Sequence, residues 1–330
     1  MKNTKYRALK IRLPLLISFL FILSSIILTL YFAKGNTKQP IRMIYISKVV
    51  DYNNDFWTQL IEGINMAAED YDINMTVVGP SQESDYEKHL ELIEWSIEQN
   101  PDLILLAPCH YEKTSDTAQK IVDHNIPLVL VDSNIEKDIA DTFITTDNII
   151  AGKKQGYFVN SIIKDTSQIA ILGHVKHAST AIDRINGLTQ GLGENADKII
   201  ETTYGGSDYN SAKNTTLKLL SNHPELDIIV CTNEYTTVGA AEAIKERNLQ
   251  NKVSLVGFDS SIKEIQLLEE GLLKATVIQK AFKMGYYSVE NAVKLLNGDN
   301  VPKYVNSGSS LITYQNLYDD KNQKILFPFK

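Results

Sequence analysis

The stretch Ile41–Tyr71, IRMIYISKVVDYNNDFWTQLIEGINMAAEDY, reads as strand, loop and helix. Met43 to Ile46 is an apolar run, and after a polar break the apolar residues recur as Trp57, Leu60, Ile61, Ile64, Ala67, Ala68 and Tyr71, a helical period. Asn54 and Asp55 stand where an N-cap belongs, so the loop lies above helix amides in need of acceptors. Open α/β sheets bind ligands at such strand ends. Phe56 and Trp57 carry two readings: core residues covering the sheet edge, or a platform on which a small ligand stacks.

The same unit recurs along the chain. Met75 to Val78 is a short strand, and Tyr86, Leu90, Ile93 and Ile97 share one face of the helix that Asn100-Pro101 ends. Leu103 to Ala107 and Pro127 to Val131 are unbroken apolar strands, the pattern of parallel sheets covered on both faces. Helix and strand then alternate through Ile149–Ile163, Ile169–Leu172, a helix after Asp183, Ile199–Thr203, Tyr209–Leu220, Ile228–Cys231, Thr237–Arg247, Ser254–Val256 and Ile262–Glu270. Leu272 to Gln279, a helix over Phe282–Leu296 and an extended Ser310–Tyr314 complete an α/β chain built of βαβ units.

The net charge of −7 hides an asymmetry: Lys2, Lys5, Arg7, Lys10 and Arg12 are the only charges before Lys34, and removing those five leaves −12 on the remainder. Such a body repels nucleic acid. Cys109 and Cys231 each follow an apolar run without a CxxC or His-rich neighbour, so no metal site is read there. Leu13 to Ala33 is 21 residues free of charge, close to the roughly 20 a helix needs to cross a bilayer. With the basic cluster inside, everything after Lys34 is expected outside the cell. The reading is a cytoplasmic tail at 1–12, a transmembrane anchor or signal segment at 13–33, a linker at 34–40 and a binding domain at 41–330. A cleavable signal peptide competes, because Ala33-Lys34-Gly35 offers small residues where a signal peptidase cuts.

Motifs of catalysis and cofactor binding are scarce: the sequence has no Walker loop, GxGxxG, GxSxG or HExxH. Gly205-Gly206-Ser207 reads as a turn, His174 and His177 lack evident partners, and the charged run Glu83 to Glu98 reads as a solvated helix face. No cofactor and no catalytic residue is assigned.

The strand ends resemble those of the type I periplasmic sugar-binding proteins, most nearly the ribose-binding group, from about Arg42 to Tyr318. Asn54-Asp55-Phe56-Trp57 is similar to that family's NPFF segment, LVLVDS brings Asp132 and Ser133, and TTDNIIAGKKQG resembles the crossing into the second lobe. Arg184 and Gly187 fit an RxxG element, HPELDIIVCTNE carries Asn233, VGFDS carries Asp259 and ATVIQ carries Gln279. The resemblance implies two doubly wound parallel-sheet lobes joined by a three-crossing hinge. Lobe one spans about 40–145 plus 281–308, and lobe two about 146–280 plus 309–330. It implies a ligand set of Asn54, Phe56, Trp57, Asp132, Ser133, Arg184, Asn233, Asp259 and Gln279 around one monosaccharide, a pentose or hexose. Ser133 departs from the family's arginine, and Ser207 stands where the second lobe usually supplies an aromatic, with Tyr204 and Tyr209 nearby.

The expected function is therefore extracytoplasmic carbohydrate binding without chemistry, serving either an ABC permease or a membrane sensor histidine kinase. A sugar-responsive repressor has a helix-turn-helix where this chain has an apolar span, and a carbohydrate-active enzyme would turn its ligand over. Protease added to intact protoplasts is expected to digest residues 41–330; protection of that body would overturn the topology, and recovery of a chain beginning near Asn36 would show cleavage.

Overall fold

Strict two-residue alternation within apolar strands dictates the layers. Met43, Tyr45, Leu103, Leu105, Val129 and Val131 join one core cluster, while Ile44, Ile46, Ile104, Leu106, Leu128 and Leu130 join another. Successive side chains of a strand point to opposite faces, so both faces of this sheet are covered. A computed structural model describes residues 18–26 and 40–326. Its first sheet runs through β1 (Ile41–Ile46), β2 (Ile73–Val78), β3 (Leu103–Leu106), β4 (Leu128–Val131) and β5 (Thr142–Thr145). The helices between these strands are α1 (Asp55–Asp70), α2 (Tyr86–Glu98) and α3 (Lys113–Asp123).

The second sheet is built from β6 (Ile169–Gly173), β7 (Ile199–Tyr204), β8 (Ile228–Cys231), β9 (Ser254–Phe258) and β10 (Leu273–Gln279). Its helices are α4 (Asn148–Ile162), α5 (Ser179–Leu192), α6 (Tyr209–Asn222), α7 (Glu234–Glu246) and α8 (Ile262–Glu269). The chain then returns as α9 (Ala281–Leu296), which packs on α1, adds β11 (Tyr304–Asn306) to the first sheet and β12 (Ser309–Thr313) to the second, and ends in α10 (Asp320–Leu326).

Strand order is β2-β1-β3-β4-β5-β11 in one lobe and β7-β6-β8-β9-β10-β12 in the other. Every pairing is parallel except that of β12 with β10. The order reverses between β1 and β3, and again between β6 and β8, and doubly wound sheets open a ligand crevice at such points. The fold is thus α/β with two parallel-sheet lobes, and the antiparallel edge of the second is a detail the sequence did not show.

Passages between the sheets lie side by side. Asn306 Oδ1 accepts from the amides of Asp147 (3.1 Å) and Gly308 (2.8 Å), and the Ser307 amide donates to Thr145 O at 2.7 Å. Gly308 takes φ +90 there, a conformation open to glycine at little cost.

The apolar span Leu13–Ala33 is described only over residues 18–26, which are helical and expose Phe19, Phe21 and Ile22. Its remainder, the 1–12 tail and the linker before Pro40 lie outside the described residues. Among the described residues no helix is long and apolar enough to cross a membrane.

Glycines set how closely α4 and α5 approach. A Cβ on Gly152 would fall 2.1 Å from Arg184 O, and one on Gly187 would fall 2.1 Å from Ile149 O. Alanine gains about 1 kcal/mol of helix propensity over glycine, but here it meets backbone, and overpacking of this kind costs about 1–3 kcal/mol. Gly152→Ala is therefore expected to lower the urea midpoint, despite its better propensity, and to displace Arg184; a midpoint equal to or above that of the parent would refute the close contact.

Candidate functional site

The loops above both switch points converge on a cavity of about 300 Å3 of empty space, part of it open to solvent. Its walls include Asn54, Phe56, Trp57 and Asp132 from the first lobe and Arg184, Asn233, Asp259 and Gln279 from the second. Ser133 stands outside this wall: it is fully buried behind Asp132 and donates its hydroxyl to Oδ2 at 3.0 Å.

Each side chain is placed by its local structure. Asn54 is the N-cap of α1, with Oδ1 accepting the Trp57 amide at 3.1 Å. Asn233 caps α7 in the same way, accepting from Thr236 N at 3.0 Å. Capping and lining the cavity are thus compatible roles for one side chain. Trp57 is 4% exposed and belongs to the first-lobe core while also bordering the cavity; Phe56 meets it edge-on with centroids 4.9 Å apart.

Asp132 and Asp259 occupy equivalent strand ends and share an unusual backbone, φ 64 and φ 83. Left-handed conformations are uncommon for residues with a Cβ. Both are tied to the adjoining strand. The Asp132 amide donates to Ile144 O and its carbonyl accepts from Thr145 Oγ1; the Asp259 amide donates to Val277 O and its carbonyl accepts from Thr276 Oγ1.

Arg184 lies over the Phe258 ring, its Cζ 3.8 Å from the centroid, with Nε on Asn148 Oδ1 (2.8 Å) and Nη1 on Thr232 O (2.7 Å). Its Nη2 takes no protein acceptor among the described residues. Burial pulls the guanidinium below its ordinary pKa, against the pull of Asp259, Asp132 and Glu83. Burial also raises the Asp259 carboxyl, with Arg184 and the Gln279 amide opposing.

Five further wall residues escaped the sequence reading: Lys48, Glu83, His174, Thr180 and Tyr235. Lys48 Nζ lies 2.8 Å from Asp132 Oδ2, 3.6 Å from Glu83 Oε1 and 3.4 Å from Thr180 Oγ1, with its side chain 2% exposed. Burial alone would lower its pKa, yet Asp132 and Glu83 outweigh that and leave it raised. Glu83, expected on a solvated helix face, is instead 3% exposed; Oε2 accepts from Ser207 Oγ, while Oε1 has no hydrogen-bond partner. Lys48 thus supplies a cation beside Asp132 where position 133 does not.

Burial holds His174 well below its ordinary pKa. Its ring joins Thr232 Oγ1 (2.7 Å) to Thr180 Oγ1 (2.9 Å), linking Lys48 to the second-lobe wall through hydroxyls. On the second lobe the aromatic at the cavity is Tyr235. Tyr209 packs on it at 4.8 Å between centroids, and Tyr204 lies against Gly173. Cys109 and Cys231 are free and buried.

Direct bonds join the lobes around the cavity. Tyr235 Oη donates to Asp51 Oδ2 at 2.6 Å, the Asp55 amide to Glu234 Oε2 at 3.1 Å, the Ile262 amide to Asp55 Oδ2 at 3.0 Å, and the Tyr111 amide to His177 O at 2.8 Å. His110 and His177 stack across the same seam, 4.8 Å between centroids and 5° from parallel. The geometry is a polar chamber with flat apolar rings on one side, closed by contacts between two bodies.

Known proteins share this construction. The ribose import binding protein of Bacillus subtilis is 25% identical over 281 residues, covering 84% of this chain and 89% of that protein. The crystal structure of a sugar transporter from Clostridium phytofermentans is 42% identical with a TM-score of 0.79, covering 83% of this chain and 99% of that one. An ABC transporter solute-binding protein from Agrobacterium vitis with bound D-fucose is 28% identical with a TM-score of 0.82, covering 86% and 99%. The model of the periplasmic binding protein domain matches residues 48–300. With that match over most of its length, the chain belongs to the periplasmic binding protein family, in its type I sugar-binding branch.

Proposed function

We propose that this protein binds one monosaccharide outside the cytoplasm, releases it unchanged, and is held at the membrane by residues 13–33. The observation that carries this reading is the chamber itself. Hydrogen-bonding side chains from both lobes, with Phe56 and Trp57 on one side, surround a small cavity at the meeting of the two switch points, where ligands of such folds bind. Sugar rings offer apolar faces to aromatics and an equator of hydroxyls to carboxylates and amides. Glu83 Oε1, ion-paired to Lys48 at 3.6 Å, and Gln279 Oε1 are buried acceptors without hydrogen-bond partners, and ligand hydroxyls would satisfy them.

The lobes, about 40–145 plus 281–308 and 146–280 plus 309–330, would close on the sugar by bending at the clustered passages. The closed form would pass its ligand to an ABC permease or signal to a membrane sensor histidine kinase. A permanent helical anchor favours signalling, because delivery needs only a lipid tether or a free carrier. Pull-down of the intact protein from membranes, with and without sugar, separates the two partners.

Calorimetry against D-ribose, D-allose, D-arabinose, D-fucose and D-xylose tests the binding. At least one is expected to bind and to be recovered intact, and saturating it should shrink the radius of gyration in small-angle scattering; an unchanged radius would count against hinge closure. Losing a charged hydrogen-bonding partner costs about 1.5–3 kcal/mol, so Asp259→Ala or Arg184→Ala should weaken affinity about tenfold to a hundredfold. Trp57→Ala should also weaken it. Normal binding by folded Asp259→Ala and Trp57→Ala would place the ligand elsewhere.

Position 133 gives a sharper test. Because Lys48 already stands on Asp132, Ser133→Arg alone brings a second cation into a filled space and is expected to lower stability. Lys48→Ala with Ser133→Arg should recover folding and shift preference toward D-ribose. Equal stability of the single and double variants would show that the two cations do not compete.

A further inference from the structure

Beside the cavity wall, the seam between the lobes holds two carboxylates, Glu234 and Glu264, that sugar contact does not explain. Glu234, the first residue of α7, is 2% exposed, and Glu264 in α8 is fully buried. Glu234 Oε2 accepts the Asp55 amide from the other lobe at 3.1 Å, and Oε1 meets the Tyr209 hydroxyl at 2.5 Å. Asp55 reciprocates, its carboxylate accepting the Ile262 amide across the seam at 3.0 Å. Glu264 Oε2 accepts from Ser261 N and Oγ, while Oε1 is buried without a partner. Asp259 lies alongside, accepting the Glu234 amide at 3.0 Å.

Four carboxylates, Asp55, Glu234, Asp259 and Glu264, therefore meet where the lobes touch. The cations facing them are Arg184, whose charge acts on Asp259, and Lys263, whose ammonium sits 4.7 Å from the Tyr209 ring centroid. Among the described residues, none of the four carboxylates forms an ion pair. Buried like charges cannot all remain ionised. Glu234, Asp259 and Glu264 share the second lobe and stay together in either form, whereas separation of the lobes would take Asp55 away from Glu234 and admit water to its carboxylate, so this part of the burial and crowding belongs to the closed form.

We infer that closure of the cleft takes up a proton onto the Glu234–Glu264 pair, so that sugar binding is proton-linked. This rests on the reading of the cleft as a sugar site that closes. The local bonding accommodates the proton: a protonated Glu234 can donate to Tyr209 Oη, which then donates onward to Asn53 O, 3.4 Å away in the first lobe. Burial is the main cause raising Glu234, to about 8, with Asp259 and Asp55 adding to it and Tyr209 opposing; burial and Glu234 raise Glu264.

The sign follows from which form holds the proton. An open, solvated glutamate titrates near its ordinary value of about 4.3, so between there and about 8 the closed form carries a proton that the open form lacks. Affinity is then greatest at low pH and falls as pH rises through that window, by about tenfold per unit for one full proton. The His110–His177 stack acts in the opposite sense. Burial, with His177 and Lys113, lowers His110 while Glu112 opposes, so closure releases protons there at acid pH. The two effects separate at pH 7.5, where an ordinary histidine is largely neutral.

The experiment is calorimetry on the full chain in detergent at pH 7.5, using the tightest-binding of the five sugars above, in phosphate, HEPES and Tris. Binding heat plotted against buffer ionisation enthalpy is expected to slope to uptake of about half a proton or more, falling toward zero at pH 9.5. Glu234→Gln keeps an acceptor for the Asp55 amide and a donor for Tyr209, and should bind with a slope near zero at pH 7.5 and an affinity flat from pH 7.5 to 9. Glu264→Gln gives a second variant should the first fail to fold, and should reduce the slope. Buffer-independent heats in the parent, or full uptake retained in both variants, would overturn the linkage while leaving the sugar site standing. Absence of heat with every sugar would overturn the sugar reading and the linkage with it.

Discussion

Two aspartates held in a left-handed backbone fix the chemistry of the cleft. Asp132 and Asp259 end β4 and β9 at φ 64 and φ 83, a conformation costing about 1–2 kcal/mol for a residue with a Cβ. Each is compelled by the strand beside it, which accepts its amide and donates a threonine hydroxyl to its carbonyl. The turn makes both carboxylates wall residues of the cavity, and a buried carboxylate then requires a partner. Lys48 answers Asp132 directly, while Arg184 offsets the burial of Asp259. Arg184 in turn is held by Asn148 and Thr232, and its carbonyl lies against Gly152. A chain of requirements therefore runs from two φ angles to the spacing of two helices.

Much of the fold is legible from apolar periodicity because parallel strands covered on both faces are nearly all apolar, as LILL and LVLV are. Elements that periodicity missed are short or polar. β5 is four residues, TFIT, and β11 three, YVN; each is a strand only because a neighbour offers a ladder. Helix α5 begins at Ser179, before Asp183, since its first turn, STAI, offers too little pattern to mark a start.

The candidate site divides along similar lines. Residues standing in recognisable strand-end motifs, such as Asn54, Asn233 and Asp259, were legible. Lys48 and Glu83 were not, because a lysine or glutamate in a polar stretch reads as surface. What buries them is remote in sequence: Lys48 is held by Asp132 and Thr180, and Glu83 by Ser207 from the other lobe. Ser133 looked like the loss of a cation, but the cation has moved to a different strand end.

The charge pattern of the wall bears on which sugars suit it. Lys48 and Arg184 face Asp132, Asp259 and Glu83, two cations against three carboxylates. An anionic ligand, a uronate or a sugar phosphate, would add to the excess of negative charge inside a closed volume, where Coulomb repulsion is several times stronger than in water. A neutral polyol does the reverse. Its hydroxyls can donate to Glu83 Oε1 and Gln279 Oε1, the wall acceptors left without hydrogen-bond partners, and accept from the Arg184 guanidinium on the same wall. Hydroxyls are both donor and acceptor, so one ring can satisfy sites of either kind without carrying charge into the cleft. Neutral monosaccharides therefore match both the charge balance of the wall and its unmet hydrogen bonds. The four carboxylates along the seam reinforce the preference, because each negative charge brought by a ligand would raise the cost of closing over it.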